Sequence, residues 1–119
     1  MQTSDYKDLK IWQQSMDIVT DIYNLLDNLP GIERYALADQ IRRSSVSVPS
    51  NIAEGQRRNS NKDFIRFLSI SRGSLAELET QLMLCERLKY LDEASVNGIL
   101  LRTKTVDKMI VSLIGTLSK

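Results

Sequence analysis

The chain has 119 residues, with 16 basic and 15 acidic side chains, so its formal net charge is +1. Its length fits a single domain, and its apolar fraction of 42% is too high for a disordered chain. It contains no histidine and one cysteine, Cys85. These counts exclude Ser-His-Asp and Cys-His catalysis, an internal disulfide and a cysteine-rich zinc site. We therefore expect a protein without metal or cofactor that is not an enzyme.

The sequence also bears on cellular location. Its first residues, MQTSD, have neither the basic start nor the apolar run of a signal peptide. No stretch of ~18 apolar residues is present, so we expect no transmembrane helix. A single cysteine suits a reducing compartment, and we expect a cytoplasmic protein.

Apolar residues at steps of three and four predict the first helix over residues 6–28, with Asp5 as its cap. Two apolar rows lie side by side, which gives this helix an apolar face wider than a two-stranded seam needs. We interpret the aromatic side chains Trp12 and Tyr23 as core or interface. The first row is Leu9, Trp12, Met16, Val19, Tyr23 and Leu26, and the second is Ile11, Ile18, Ile22 and Leu25.

The second helix is predicted over residues 33–56, and Pro49 falls inside it. A proline within a helix removes one hydrogen bond and costs about 3 kcal/mol. The apolar phase that is set before Pro49 continues correctly at Ile52, so we predict one helix that is kinked at the proline. The alternative is a short strand over residues 45–48, where the sequence alternates. Gly55 is expected to begin the connection to the third helix.

The third and fourth helices are predicted over residues 61–90 and 93–117. Ser60 or Asn61 is the predicted cap of the third helix, and Asp92 is the predicted cap of the fourth.

Gly73 lies inside the third helix, where glycine costs about 1 kcal/mol relative to alanine. We expect it to allow close approach of a neighbouring backbone. Leu91 and Val96 occupy the two positions of a hydrophobic staple around the fourth helix start. Four amphipathic helices with short connections predict an all-α, up-down-up-down antiparallel four-helix bundle, a single domain over residues 1–119.

A polar row runs along the second helix beside its apolar stripe. Its middle is short-chained and uncharged, whereas a plain solvated face usually carries lysine and glutamate. The interpretations are a buried or interfacial polar network, a solvated face, or a ligand site. Partners for a buried network are Glu77 and Ser74 on the third helix, together with Arg66. The row consists of Gln40, Arg43, Ser47, Asn51 and Glu54.

Charge is unevenly distributed along the chain. Residues 1–33 hold two basic and six acidic side chains, residues 34–72 hold eight basic and three acidic, and residues 73–119 hold six of each. The basic segment is rich in arginine, which suits bidentate contacts with phosphate or carboxylate. It predicts either an RNA or DNA backbone contact or an electrostatic match with the acidic first helix, within or between subunits. The candidate nucleic-acid contacts are Arg42, Arg57, Arg58 and Lys62.

Residues 39–55, DQIRRSSVSVPSNIAEG, resemble the signature of the four-helix bundle proteins encoded in intervening sequences of bacterial 23S rRNA genes. The resemblance extends to Asp8-Leu9 with Trp12 and to the third helix from Phe64 onward. It implies a homo-oligomeric ring, expected to be a pentamer, with a second helix that continues through Pro49. The accessory proteins of diversity-generating retroelements are structurally similar and form basic pentamers that bind nucleic acid, whereas this chain is nearly neutral.

Two functions follow as hypotheses. The first is a non-enzymatic homo-oligomer that binds RNA or a ribonucleoprotein through its arginine-rich surface. The second is a scaffolding oligomer that binds another protein and no nucleic acid. An enzyme is the least favoured reading, and its only candidate groups are Ser47, Glu54 and Glu77.

Overall fold

The computed structural model describes residues 5–27, 29, 31 and 35–119. Within these ranges it contains one short 3-10 turn and four α-helices, and no strand. The alternative of a strand over residues 45–48 is therefore wrong. The helices are α1 (Lys10–Leu26), α2 (Tyr35–Arg57), α3 (Asn61–Arg87) and α4 (Glu93–Leu117).

The four helices form an elongated bundle of 48 × 21 × 20 Å. Each helix packs against the next one along the chain, and α1 packs against α4 to close the bundle. The most extensive contact is between α2 and α3. The predicted all-α, antiparallel four-helix bundle is confirmed. No helix in the described part of the chain is long and apolar enough to cross a membrane.

The core is mainly aliphatic. Side chains with less than 2% exposure come from all four helices, so the core is shared rather than built on one pair. Cys85 is fully buried in it, and burial raises the pKa of its thiol. The largest of these buried side chains are Ile22, Ile41, Ile52, Leu68, Leu78, Leu82 and Ile110.

The first helix begins later than predicted, at Lys10 rather than residue 6. Asp5 does act as a cap, but its carboxylate accepts the backbone N–H of Lys7 and so caps the 3-10 turn Tyr6–Asp8. Leu9 follows in an extended conformation, which separates this turn from α1. The predicted end of the first helix at Asn28 and start of the second at Glu33 lie outside the described residues.

The third helix ends at Arg87, three residues before the prediction. Lys89 adopts a left-handed conformation with φ of 62°, which stops the helix. Asp92 then caps α4 as predicted, accepting from the backbone N–H and hydroxyl of Ser95. These bonds hold the pKa of the Asp92 carboxyl below its usual range. The cap therefore stabilises the fold at neutral pH and is lost as pH falls through that lowered pKa.

The second helix passes through Pro49 without interruption, as the apolar phase predicts. Pro49 itself is buried. Helix α2 also continues past Gly55, which the sequence placed at the start of a connection.

Gly55 lies where α3 packs closely against α2. A Cβ built there would lie 2.6 Å from the Cβ of Phe67 and 3.1 Å from a ring carbon of Phe64. The sequence assigned such a close approach to Gly73, and this assignment is wrong within the chain. Gly73 is exposed, and nothing lies within 4 Å of the position of its Cβ.

Gly55→Ala is expected to lower the free energy of unfolding by about 1–3 kcal/mol, because the new methyl group collides with a rigid Cβ and the helices must move apart. Gly98→Ala is the matched control. It is also a helix glycine, but with open space around it, so alanine should stabilise the protein by about 0.5–1 kcal/mol. Chemical denaturation of both variants measures this. Equal effects of the two substitutions would contradict the close contact.

Candidate oligomer and nucleic-acid interfaces

Only the middle of the polar row is partly buried. The hydroxyls of Ser47 and Ser74 lie 2.8 Å apart, which joins α2 to α3. Asn51 donates from its side-chain nitrogen to the carbonyl and the hydroxyl of Ser47, at 2.8 and 3.0 Å. The remaining members, Gln40, Arg43 and Glu54, are exposed. The row thus combines a half-buried centre with solvated ends.

Of the three partners predicted for this row from the sequence, one contacts it and the other two have different contacts. Ser74 contacts the row directly. Glu77 is exposed, and the amide nitrogen of Gln81 lies 3.5 Å from its carboxylate. Arg66 does not join the row. Its guanidinium lies over the ring of Phe67, 4.4 Å from the centroid.

A deeper set of polar contacts lies beneath the row and was not assigned from the sequence. The Ser44 hydroxyl donates to the side-chain oxygen of Gln81 at 2.7 Å, and both residues are buried. The Ser71 hydroxyl donates to the backbone carbonyl of Val48 at 2.9 Å. One feature of the sequence does indicate these contacts, since Ser44 and Ser71 occupy positions on the apolar stripes of α2 and α3. A buried serine there requires a partner, and the facing helix supplies it.

Ser44→Ala should cost about 1–3 kcal/mol of unfolding free energy, because it leaves the buried oxygen of Gln81 without a donor. Adding Gln81→Leu should recover much of this loss, since both polar groups are then removed together. Ser69→Ala, an exposed serine on α3, is the control and should stay within about 0.5 kcal/mol of the wild type. Additive losses in the double variant would rule out the coupling.

The three side chains considered for an enzyme meet different partners. Ser47 contacts Ser74, Glu54 pairs with Arg58 at 2.8 Å, and Glu77 lies beside Gln81. Across the described ranges, no group of three or more cysteine, aspartate and glutamate side chains is placed to hold a metal ion.

The candidate nucleic-acid contacts fall into two separate places. Arg42 lies near the end of α1, where it pairs with Asp39 at 3.1 Å and approaches Asp27 at 3.9 Å. Its guanidinium also lies over the ring of Tyr23. Arg57 is about 22 Å farther along α2 at ~1.5 Å of rise per residue. Arg42 therefore belongs to a different surface from the other three candidates.

The basic end of the bundle is the region around the connection from α2 to α3, with Arg57, Arg58, Lys62 and Arg66. Arg57 lies over the ring of Tyr6 and only 4.0 Å from a carboxylate oxygen of Asp5. Arg58 pairs with Glu54, at 2.8 Å.

The guanidinium groups of Arg58 and Arg66 both lie over the ring of Phe67. Lys62 is exposed, and it forms no ion pair with any residue that the structure describes. Carboxylates thus offset part of this charge, through contacts that are solvent-accessible and individually weak.

Electrostatic matching within the chain is visible on other faces too. Arg42 with Asp27 and Arg57 with Asp5 join the basic second helix to the acidic N-terminal region. Arg72 makes a two-pronged contact with Asp107, at 2.7 and 3.3 Å, which raises the pKa of the guanidinium further. Ion pairs within the chain therefore account for part of the uneven charge distribution.

An apolar groove lies between α1 and α2 on the outer surface of the bundle. The second row of α1, with Ile11, Ile18 and Ile22, is buried in the core. The first row is turned partly outward, and Met16 and Tyr23 are 41% and 40% exposed. We call this surface the α1/α2 groove, with a volume of about 330 Å³ and a mainly apolar lining. Its lining includes Trp12, Met16, Val19, Val46, Pro49 and Ala53.

A comparison with protein families matches residues 7–112 to the family described as 23S rRNA-intervening sequence protein. The chain belongs to this family. The resemblance of the segment around Pro49 is thereby confirmed over most of the sequence. No curated protein matches the chain.

A solved structure agrees with the bundle described above. It is a crystal structure from Bacteroides thetaiotaomicron VPI-5482, described as a protein with unknown function from the S23 ribosomal protein family. Its TM-score is 0.78 at 26% identity, and the alignment covers 87% of this chain and 97% of that one. The four-helix fold of this chain is thus shared with a protein of the S23 ribosomal protein family.

Proposed function

We propose that this protein is a non-enzymatic, self-assembling four-helix bundle, a ring-like homo-oligomer located in the cytoplasm. The observation that carries the proposal is the α1/α2 groove. A monomeric protein gains stability by burying its aromatic and aliphatic side chains. It rarely leaves a contiguous patch of them on its surface. Here Trp12, Met16 and Val19 face Val46 and Ala53 across an open groove. Association would remove this surface from water.

A second surface supports self-assembly. Ile70 and Leu84 on α3 and Leu88, directly after its last residue, are each more than 40% exposed. Glu77 lies on the same side of α3, and the half-buried centre of the polar row, Ser47, contacts Ser74 of α3. Apolar side chains interspersed with short polar groups are typical of subunit interfaces. The family resemblance favours five copies.

Asn51→Leu is expected to change the solution mass or the melting temperature of the protein, because it removes two hydrogen bonds and alters the α2/α3 surface. Asn24→Leu is the matched control, since Asn24 is exposed on α1 and should change neither. Light scattering and thermal unfolding measure both properties. An Asn51→Leu protein with unchanged mass and unchanged melting temperature would favour a solvated polar row instead.

We propose RNA contact at the basic end as a second function of the assembly. Lys62 has no ion pair in the described part of the chain, and Arg57 reaches Asp5 only at 4.0 Å. These side chains are available to phosphate, and arginine guanidinium groups can stack on unpaired bases. Repetition of the basic end around an oligomer would add contacts by avidity. Arg42 is left out of this surface, because it is remote and already contacts two carboxylates.

Arg57→Ala with Arg58→Ala should weaken binding of a single-stranded RNA and reduce the salt dependence of its affinity. Two lost phosphate contacts correspond to a reduction of about 1.4 in the slope of log K against log salt. Arg72→Ala with Arg102→Ala removes the same number of charges from side chains that pair with Asp107 and Asp21 instead, and should retain both the affinity and the slope. No RNA binding at low salt, or equal losses in the two variants, would leave the protein-only scaffold as the function.

A further inference from the structure

We infer that a cavity at the basic end of the bundle holds one unpaired base of a single-stranded RNA, while the cations around it contact the neighbouring phosphates. The cavity lies between the α2–α3 connection and the C-terminal end of α4, and we call it the basic-end cavity. Its volume of about 530 Å³ is in the range of ~300–1,000 Å³ that is usual for small-molecule sites. This inference rests on the proposed RNA contact and adds which part of the nucleotide is recognised.

The floor of the basic-end cavity is apolar and comes from three parts of the chain. Leu9 precedes α1, Phe64 lies near the start of α3, and Leu113 and Leu117 lie in the last turns of α4. All four pack against the core but are only partly buried. They therefore leave an apolar surface on which the flat face of a base can lie.

Phe64 is the part of this floor that suits stacking. One of its ring carbons lies 3.1 Å from the position that a Cβ of Gly55 would take, so the ring packs against the backbone of α2. The ring is thus held in place before any ligand binds. Stacking on an aromatic side chain is the usual way in which proteins hold a base of a single strand.

Side-chain amides surround the apolar floor. Gln56, Asn59 and Asn61 line the cavity, and each amide has an oxygen that accepts and a nitrogen that donates. The edge of a base carries the same two kinds of group, and unpaired bases are read through hydrogen bonds to their edges. Asn59 and Asn61 are exposed, and Asn61 donates to the backbone carbonyl of Leu117 only at 3.4 Å. A base can replace this long contact.

The charge around the cavity favours a nucleotide. Arg58 lines the cavity, and Arg57 and Lys62 are next to lining residues in the sequence. None of the described residues that line it carries a carboxylate. The ion pair of Arg58 with Glu54 is solvent-accessible, with side chains that are 45% and 54% exposed, so a phosphate can compete for the guanidinium. An apolar peptide would fit the floor alone, whereas a base with its phosphates fits the floor, the amides and the cations.

Recognition of a base predicts a preference that phosphate contacts alone do not produce. In a duplex every base is stacked and paired, so a base enters a cavity only after it has been flipped out of the helix. Phosphate contacts alone would favour the duplex, because its charge density is higher. The wild-type protein should therefore bind a single strand more tightly than a duplex of equal length at the same salt concentration.

The test uses Asn59→Ala with Asn61→Ala, which removes two amides from the cavity and leaves the net charge unchanged. The probes are single-stranded oligoadenylate, oligocytidylate and oligouridylate, with the duplex of oligoadenylate and oligouridylate. The variant should bind the preferred single strand about tenfold more weakly. Its slope of log K against log salt should equal that of the wild type, because no phosphate contact is lost.

Asn24→Ala with Asn97→Ala is the matched control. Both residues are exposed asparagines, and they lie near the end of α1 and the start of α4, away from the basic end. This variant should keep the wild-type affinity for every probe. All four asparagines are exposed, so both double variants should fold, which thermal unfolding verifies.

A photochemical cross-link locates the bound base. Oligouridylate that contains 5-iodouracil reacts on irradiation with an aromatic ring that is stacked on the modified base. The cross-linked peptide should contain Phe64, and Phe64→Leu, which keeps an apolar side chain, should lose the cross-link. A cross-link confined to Tyr6 or Trp12 would contradict the assigned position of the base.

The outcomes separate the inference from the proposed function. No binding of any probe at low salt would overturn both. Binding that depends on Arg57 and Arg58, but with no preference for the single strand, would overturn this inference and retain the phosphate contact. An Asn59 and Asn61 variant that binds as tightly as the control variant, or that loses affinity through a smaller salt slope, would also overturn it.

Discussion

The close approach of α2 and α3 is the constraint on which the rest of this bundle depends. Gly55 leaves no space for a side chain against Phe67, and the Ser71 hydroxyl reaches the backbone carbonyl of Val48. Contacts along the two helices pair low numbers on α2 with high numbers on α3, which is the antiparallel arrangement. Small side chains on both helices permit this distance, and a well-packed interior at this distance tolerates little added volume.

This constraint also determines which apolar residues remain outside. With α2 and α3 held close together, α1 and α4 cover the apolar faces that are left. On α1 the row containing Ile18 and Ile22 is buried in the core together with Leu26 of the first row, while Met16 and Tyr23 lie on the outer surface. Because the apolar face of α1 is wider than the part that the core buries, the remaining apolar side chains line the α1/α2 groove. The same geometry brings the centre of the polar row against α3 and leaves Ile70 and Leu84 exposed beside it.

Features that depend on local sequence could be predicted, and features that depend on tertiary distances could not. The four helices, the caps Ser60 and Asp92, and the continuation of α2 through Pro49 follow from periodicity and side-chain chemistry within a few residues. Gly55 was placed in a connection and the close approach was assigned to Gly73, because a sequence does not give the distance between two helices.

The sequence also could not show which apolar row of α1 is buried or that the arginine candidates lie apart, because both depend on the tertiary structure. Both apolar rows of α1 have helical spacing, so periodicity identifies a wide face but does not select which half is buried. Arg42 and Arg57 belong to one basic segment of the sequence, yet the length of α2 separates them. A site assembled from charge counts alone combines residues that a rigid helix holds apart. The buried pair Ser44 and Gln81 was hidden because its two members come from different helices.

Native-state hydrogen exchange tests most directly whether the α2–α3 contact is the foundation of the fold. Amides on the facing sides of α2 and α3, around Val48, Ser71 and Leu78, should exchange slowest and only through global unfolding, because their opening requires separation of the tightest helix pair. Amides of α1 and α4 should exchange through smaller local openings. Slowest exchange in α1 or α4, with faster local opening of α2 and α3, would contradict the account.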